Sequence, residues 1–90
     1  MIQKDLQNHL QQLHTTPLGA ERIKRNLGLD RQDVVAWCRA CVKSARQIVL
    51  RGKNYYVETD AAIITINAHS FTIITAHPKT QKRLQNFFPA

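Results

Sequence analysis

Ala62-Ile63-Ile64-Thr65-Ile66-Asn67 and Phe71-Thr72-Ile73-Ile74-Thr75-Ala76-His77 are two β-branched runs with only Ala68-His69-Ser70 between them. Runs of this composition predict two antiparallel strands, with Ala68-His69 as a tight hairpin connection. If Asn67 faces Ser70, then Ile66 opposes Phe71 and Ile64 opposes Ile73 on one apolar face. The reverse face, with Ile63, Thr65, Thr72 and Ile74, is expected to be partly solvated. Pro78 ends the second strand, because proline cannot continue a ladder. Upstream, Arg51-Gly52-Lys53-Asn54 is a turn, and Tyr55-Tyr56-Val57-Glu58-Thr59 has strand composition.

The apolar face of these strands needs a partner, and the N-terminal half supplies helices. Ile2, Leu6, Leu10 and Leu13 recur at helical spacing and predict an amphipathic helix from about Gln3 to His14. Thr16-Pro17 predicts an N-cap and a first-turn proline, with Ala20, Ile23 and Leu27 on one face and Gly28 as the stop. Asp30 is expected to cap a third helix, with Asp33 in its first turn and a buried stripe of Val34, Cys38, Cys41 and Ala45. Thr80 is expected to open a short terminal helix carrying Leu84, Phe87 and Phe88. The expected class is α+β, with N-terminal helices packed on a small antiparallel sheet in a single domain over 1–90.

Composition narrows the function classes. The chain has 90 residues, and 13 Lys and Arg against 6 Asp and Glu give a formal charge of +7. That excess favours an anionic partner: RNA first, or else an acidic protein. The six carboxylates are scattered, with Asp30 and Asp33 the one pair read as suggesting a cluster, which argues against a two-metal nuclease. The uncharged stretch up to Pro78 is too rich in Thr, Asn, His and Ser to cross a membrane, and Met1–Leu6 lacks the apolar run of a signal peptide. A cytoplasmic protein without cofactor or metal is expected, and a chain this small leaves room for a homodimer.

Three motifs carry the chemistry. Trp37-Cys38-Arg39-Ala40-Cys41 resembles the thioredoxin motif, but its first cysteine lies inside a helix rather than at a helix start after a strand. Buried, reduced, structural thiols are the expectation. Zinc would need His69 and His77 from across the sheet. Arg51-Gly52-Lys53-Asn54-Tyr55-Tyr56 puts cations and aromatic rings together, as phosphate binding and base stacking require. Arg22 and Arg25 add two cations one helical turn apart. His9, His14, His69 and His77 add imidazoles that titrate near neutral pH, the inventory for metal-free RNA cleavage.

The residues His14-Thr15-Thr16, Gly19, Arg22-Ile23, Asn26-Leu27, Asp33-Val34-Val35 and Trp37-Cys38 resemble a small bacterial family labelled as a domain of unknown function. So do Gly52–Val57, Ile64–Ala68 and Ser70–His77. That family is found mostly in Firmicutes and their mobile elements. The order of elements, with a last strand ending Ile-Thr-Ala-His-Pro, is also similar to the barnase–EndoU–colicin–RelE superfamily of RNases. That likeness implies a toxin-type, metal-independent endoribonuclease, with His14, Lys53, Thr75 and His77 as catalytic residues. His14 and His77 would share the acid and base roles. Arg22, Arg25, Arg51, Tyr55 and Tyr56 would bind RNA, and an antitoxin would be a natural protein partner. The alternative is a non-catalytic nucleic-acid- or protein-binding regulator or inhibitor from a mobile element.

Overall fold

The computed structural model describes residues 4–29 and 33–79. Helices come first and a four-stranded sheet follows, so the class is α+β as the sequence predicts. The terminal helix expected after Thr80, the Ile2 end of the first stripe and the Asp30 cap lie outside the described residues.

The first helix is shorter than its apolar stripe suggests. Helix α1 covers Lys4–Gln7, and a 3-10 turn follows at Leu10–Gln12. His9 explains the break: its Nδ1 lies 2.6 Å from the Asp5 carbonyl, the acceptor its own amide would use in an α-helix. The amide turns to the Leu6 carbonyl instead. Leu6 and Leu13 still reach the core across the break.

Helix α2 covers Pro17–Leu27, with the Thr16 side chain accepting from the Gly19 amide and Gly28 closing it in the left-handed region. Helix α3 covers Val34–Lys43, and its cap is Asp33, whose carboxylate accepts from the Ala36 amide. Asp33 therefore stands one position before the helix rather than in its first turn. The buried stripe of α3 is Val34, Cys38 and Val42; Cys41 is only half-buried. A spacing of four residues selects Val42 over Cys41 as the position facing the sheet.

The sheet is a meander of β1 (Gln47–Arg51), β2 (Asn54–Glu58), β3 (Ala62–Asn67) and β4 (Ile73–Pro78), antiparallel throughout and in sequence order. Strand β1 was not anticipated from the sequence, because only Ile48 of its apolar residues is deeply buried while Leu50 stays exposed. Gly52 at φ 59° starts the two-residue turn to β2, the position where such hairpins need glycine.

The β3–β4 connection differs from the tight hairpin that the sequence suggests. Ile66 faces Ile73 and Ile64 faces Ala76, with a bulge at Ile74. The link runs from Ala68 to Thr72 and is built around Asn67, whose Oδ1 accepts from the His69 and Ser70 amides at 2.9 Å each. One asparagine thus caps two amides, and the added residues shift the register. Phe71 sits at φ 59°, a left-handed conformation costing a residue with a Cβ about 1–2 kcal/mol. Its ring is held by stacking on His9 at 5.1 Å.

One core lies between helices and sheet. Leu6, Leu13, Ile23, Val34, Cys38 and Val42 meet Ile48, Tyr55, Val57, Ile64, Ile66, Ile73 and Ala76. On the opposite face Ile63 and Thr65 are less solvated than their alternation suggests, at 2% and 8% exposure. At that end of the sheet Lys79 reaches back to pair with Glu58, the cross-strand neighbour of Ile63.

Burial pushes the Cys38 thiol up to about 12, with Cys41 adding to the rise. This is opposite to the depressed thiol of a redox motif. Cys38→Ala should lower stability in denaturant titration by about 1 kcal/mol or somewhat more. Iodoacetamide at pH 8 should label Cys41 before Cys38; rapid labelling of Cys38 in the native protein would refute this account.

Candidate functional site

Strand β4 is an edge strand, and its open side is where the N-terminal half meets the sheet. The His14 carbonyl accepts from the Ile73 amide at 2.7 Å, and the Thr15 hydroxyl donates to the Ile73 carbonyl at 2.8 Å. Gly19 makes room for that hydroxyl, since a Cβ there would collide with Thr15 Oγ1 while meeting the Ile73 carbonyl oxygen only at an ordinary 3.6 Å. From this start α2 runs alongside β4. Thr15 to Asn26 spans about 16 Å at 1.5 Å per residue, and Thr72 to His77 spans about 16 Å at 3.3 Å per residue.

At the far end of that seam Asn26 organises two side chains. Its Nδ2 faces Thr75 Oγ1 at 3.3 Å, the Ala76 carbonyl at 3.2 Å and His77 Nδ1 at 3.5 Å. A donor facing Nδ1 favours the His77 tautomer with its proton on Nε2, which points away from Asn26. Thr75 Oγ1 accepts from Asn26, so its own hydrogen can be donated elsewhere. Thr75 and His77 lie two residues apart on one side of β4, and Arg22 lies one turn before Asn26 on the same side of α2. Arg22 and His77 are both exposed. The Thr75 hydroxyl and the His77 ring therefore share one end of the seam, with Arg22 one helical turn away on α2. Together they suit an oxyanion, a phosphate above all.

His14 occupies the other end. Its Nδ1 lies 2.9 Å from the Gln12 carbonyl, so Nδ1 carries the proton and Nε2 accepts from Thr72 Oγ1 at 3.0 Å. Thr72 Oγ1 is in turn 2.7 Å from Ser70 Oγ. Lys53 belongs to this end as well, because its carbonyl accepts from the Ala68 amide at 2.8 Å at the start of the same loop. His14, Lys53, Thr75 and His77 are expected from the sequence in one centre. The fold divides them: His14 and Lys53 stand at the loop end, and from Thr72 the strand carries Thr75 about 10 Å and His77 about 16 Å away. One phosphate cannot touch both histidines.

The RNA-contact set is divided too. Arg22 and Arg25 are exposed on α2. Arg51 is exposed on β1, on the far side of β2 and β3 from the seam. Tyr55 is 7% exposed and packs in the core, so its ring is not offered to a base, whereas Tyr56 points to the opposite face and is half-buried. Sequence reasoning missed the roles of Asn26, Thr72 and Ser70. For Asn26 a signal existed: it follows Gly19 by seven residues and Arg22 by four, which puts all three on one side of a helix. Nothing local marks Thr72 as the partner of a histidine 58 residues upstream.

The arrangement predicts a measurable tautomer. Nitrogen-15 spectra of the His77 ring at a pH where it is neutral should show the Nε2–H form dominating. Asn26→Ala should bring the ring back toward the mixture of an unconstrained imidazole. An Nδ1–H form in the unaltered protein would overturn the assignment.

A search of curated proteins and of solved structures finds no match. A family model does match: "Protein of unknown function (DUF3781)", over residues 7–77. That span takes in α2, α3, the whole sheet as far as His77, and both ends of the seam. The chain belongs to this family of proteins of unknown function.

Proposed function

We propose that the protein acts on RNA, as a metal-independent endoribonuclease of the toxin type whose phosphate site is the Arg22–Thr75–His77 end of the seam. The observation that carries this reading is the Asn26 amide nitrogen set against both Thr75 Oγ1 and His77 Nδ1, an arrangement that leaves the Thr75 hydrogen and His77 Nε2 to face outward. Arg22 and the Thr75 hydroxyl hold the non-bridging oxygens, and Arg25 adds positive charge nearby. The substrate's 2′-hydroxyl attacks the phosphorus, its proton leaving to water. His77 Nε2–H protonates the departing 5′-oxygen, and a 2′,3′-cyclic phosphate results. His77 thus carries the acid role alone, since its separation from His14 leaves no room for a shared acid–base pair.

The second reading, a non-catalytic RNA-binding regulator, draws on the same separation. With one histidine per phosphate, the seam has the donors to bind but lacks the paired imidazoles that make such cleavage fast. Both readings predict RNA affinity that falls steeply as salt rises.

Incubation with labelled single-stranded RNA in EDTA decides between them. Cleavage should proceed without a divalent ion, yield 2′,3′-cyclic ends and spare DNA of the same sequence. His77→Ala should slow it by about 10²–10⁴. Cleavage that needs Mg²⁺, or that persists in His77→Ala, removes this mechanism. Binding without cleavage hands the function to the second reading.

A further inference from the structure

The sheet has two edges, and the described residues close only one of them. His14, Thr15 and Asn26 bond the outer side of β4, whereas no described residue pairs with the outer side of β1. The Ala68 amide bonds the Lys53 carbonyl at 2.8 Å, just outside the Asn54–Asn67 pair, so Asn54 turns its own amide and carbonyl toward β1. Its partner there is Arg51, and by alternation Arg51, Val49 and Gln47 spend their backbone groups on β2. Arg46 does the same, its amide bonding the Glu58 carbonyl at 2.8 Å. The amides and carbonyls of Ile48 and Leu50 are left facing outward. Both side chains lie on the helix-covered face of the sheet, yet Ile48 is fully buried while Leu50 is 47% exposed. The strand, Gln-Ile-Val-Leu-Arg, has neither a proline nor an inward charge to protect such an edge.

We propose that the outer edge of β1 pairs antiparallel with β1 of a second copy of this chain, about a two-fold axis at Val49. In such an isologous contact residue i meets residue j and j meets i. With the axis at Val49 the whole strand overlaps its mate, and Ile48 stands opposite the partner's Leu50. These are then the pairs that exchange hydrogen bonds, which is the phase that the outward groups of Ile48 and Leu50 require. An axis at Ile48 or at Leu50 keeps that phase but shortens the overlap. Charge also fits the Val49 axis: Arg51 meets the neutral amide of the partner's Gln47, and Arg46 meets the partner's Gly52. No cation of the strand faces another across the axis. Leu50 lies beside the partner's Ile48, under the helices of that copy, and its exposed half is buried there. The contact uses 5 residues of each strand, far below the roughly 20–30 a side of a standard interface, so the dimer is weak and forms as concentration rises. Both copies of α2, Thr75 and His77 stay at the outer ends of the joined sheet, so the pairing is independent of the RNA reading.

Sedimentation velocity of the full chain, treated with nuclease and run from about 5 µM to about 500 µM, should show monomer giving way to dimer. Hydrogen exchange at the two ends of that range should slow the Ile48 and Leu50 amides at high concentration. The Gln47, Val49 and Arg51 amides, held by β2 in either state, should exchange alike at both. Leu50→Lys, at an exposed position, should weaken the dimer by about tenfold or more while leaving the amide spectrum of the other strands in place. Leu50→Thr, which keeps strand propensity but not the apolar reach, should weaken it in the same direction and replaces the lysine variant if that one does not fold. A chain still monomeric at the highest concentration overturns the proposal. So does a dimer whose Ile48 and Leu50 amides exchange at one rate throughout, since it uses another surface. Dimers that ignore the Leu50 substitutions, or that vanish on nuclease treatment because nucleic acid bridges the copies, overturn it as well.

Discussion

The constraint on which the molecule depends is the closing of the β4 edge. An edge strand presents unpaired amides and carbonyls, and proteins cover such edges to avoid pairing with other chains. Here the N-terminal half does the covering. His14 takes the Ile73 amide, Thr15 the Ile73 carbonyl and Asn26 the Ala76 carbonyl. These hydrogen bonds are each worth about 1 kcal/mol. Their larger effect is geometric, because they fix where α2 lies against the sheet. Ile23 can then bury its side chain in the core with Ile73 and Ala76, and Gly19 leaves room for the Thr15 hydroxyl that bonds the strand.

The same side chains that close the edge also shape the surface above it. Asn26 serves a backbone carbonyl and two side chains with one amide nitrogen, so edge closure and the orientation of His77 come from a single residue. His14 likewise uses its backbone to pair with the strand and its ring to hold Thr72. The loop that Thr72 ends is strained at Phe71, and the strain is held by His9 on one side and by the His14 amide bonded to the Phe71 carbonyl on the other. Residues in unfavourable backbone regions persist where their surroundings over-determine them, and this loop meets that description.

What the sequence made legible follows the range of the forces involved. The helix starts at Thr16 and Asp33, the stop at Gly28 and the strand character of β3 and β4 are local, set by side chains within a few residues of the backbone they control. The fold class therefore came through. The first helix failed because a single contact, His9 to the Asp5 carbonyl, redirected the backbone against a sound apolar period. The hairpin register failed because Asn67 recruits two amides and lengthens the loop, while the bulge at Ile74 reverses which residues face inward. Strand β1 is nearly silent in sequence because it is short, basic at its end and buried at one position only.

The grouping of the candidate site residues was hidden for a different reason. Chemistry was assigned by residue type, and His14, Lys53, Thr75 and His77 are the right types for phosphate work. Residue type says nothing about separation, and a strand of six residues is long enough to hold His14 and His77 apart. The bulge adds a further twist. Without it, Ile74 and His77 would alternate across the strand like any other residues. With the extra residue, Ile73 and Ala76 both face the core, and Thr75 and His77 together face outward beside Asn26. One inserted residue thus keeps the core continuous and turns the end of β4 into a surface of donors. β-bulges recur where a strand must re-aim a side chain, and here the re-aimed pair is the one that α2 was brought alongside to hold.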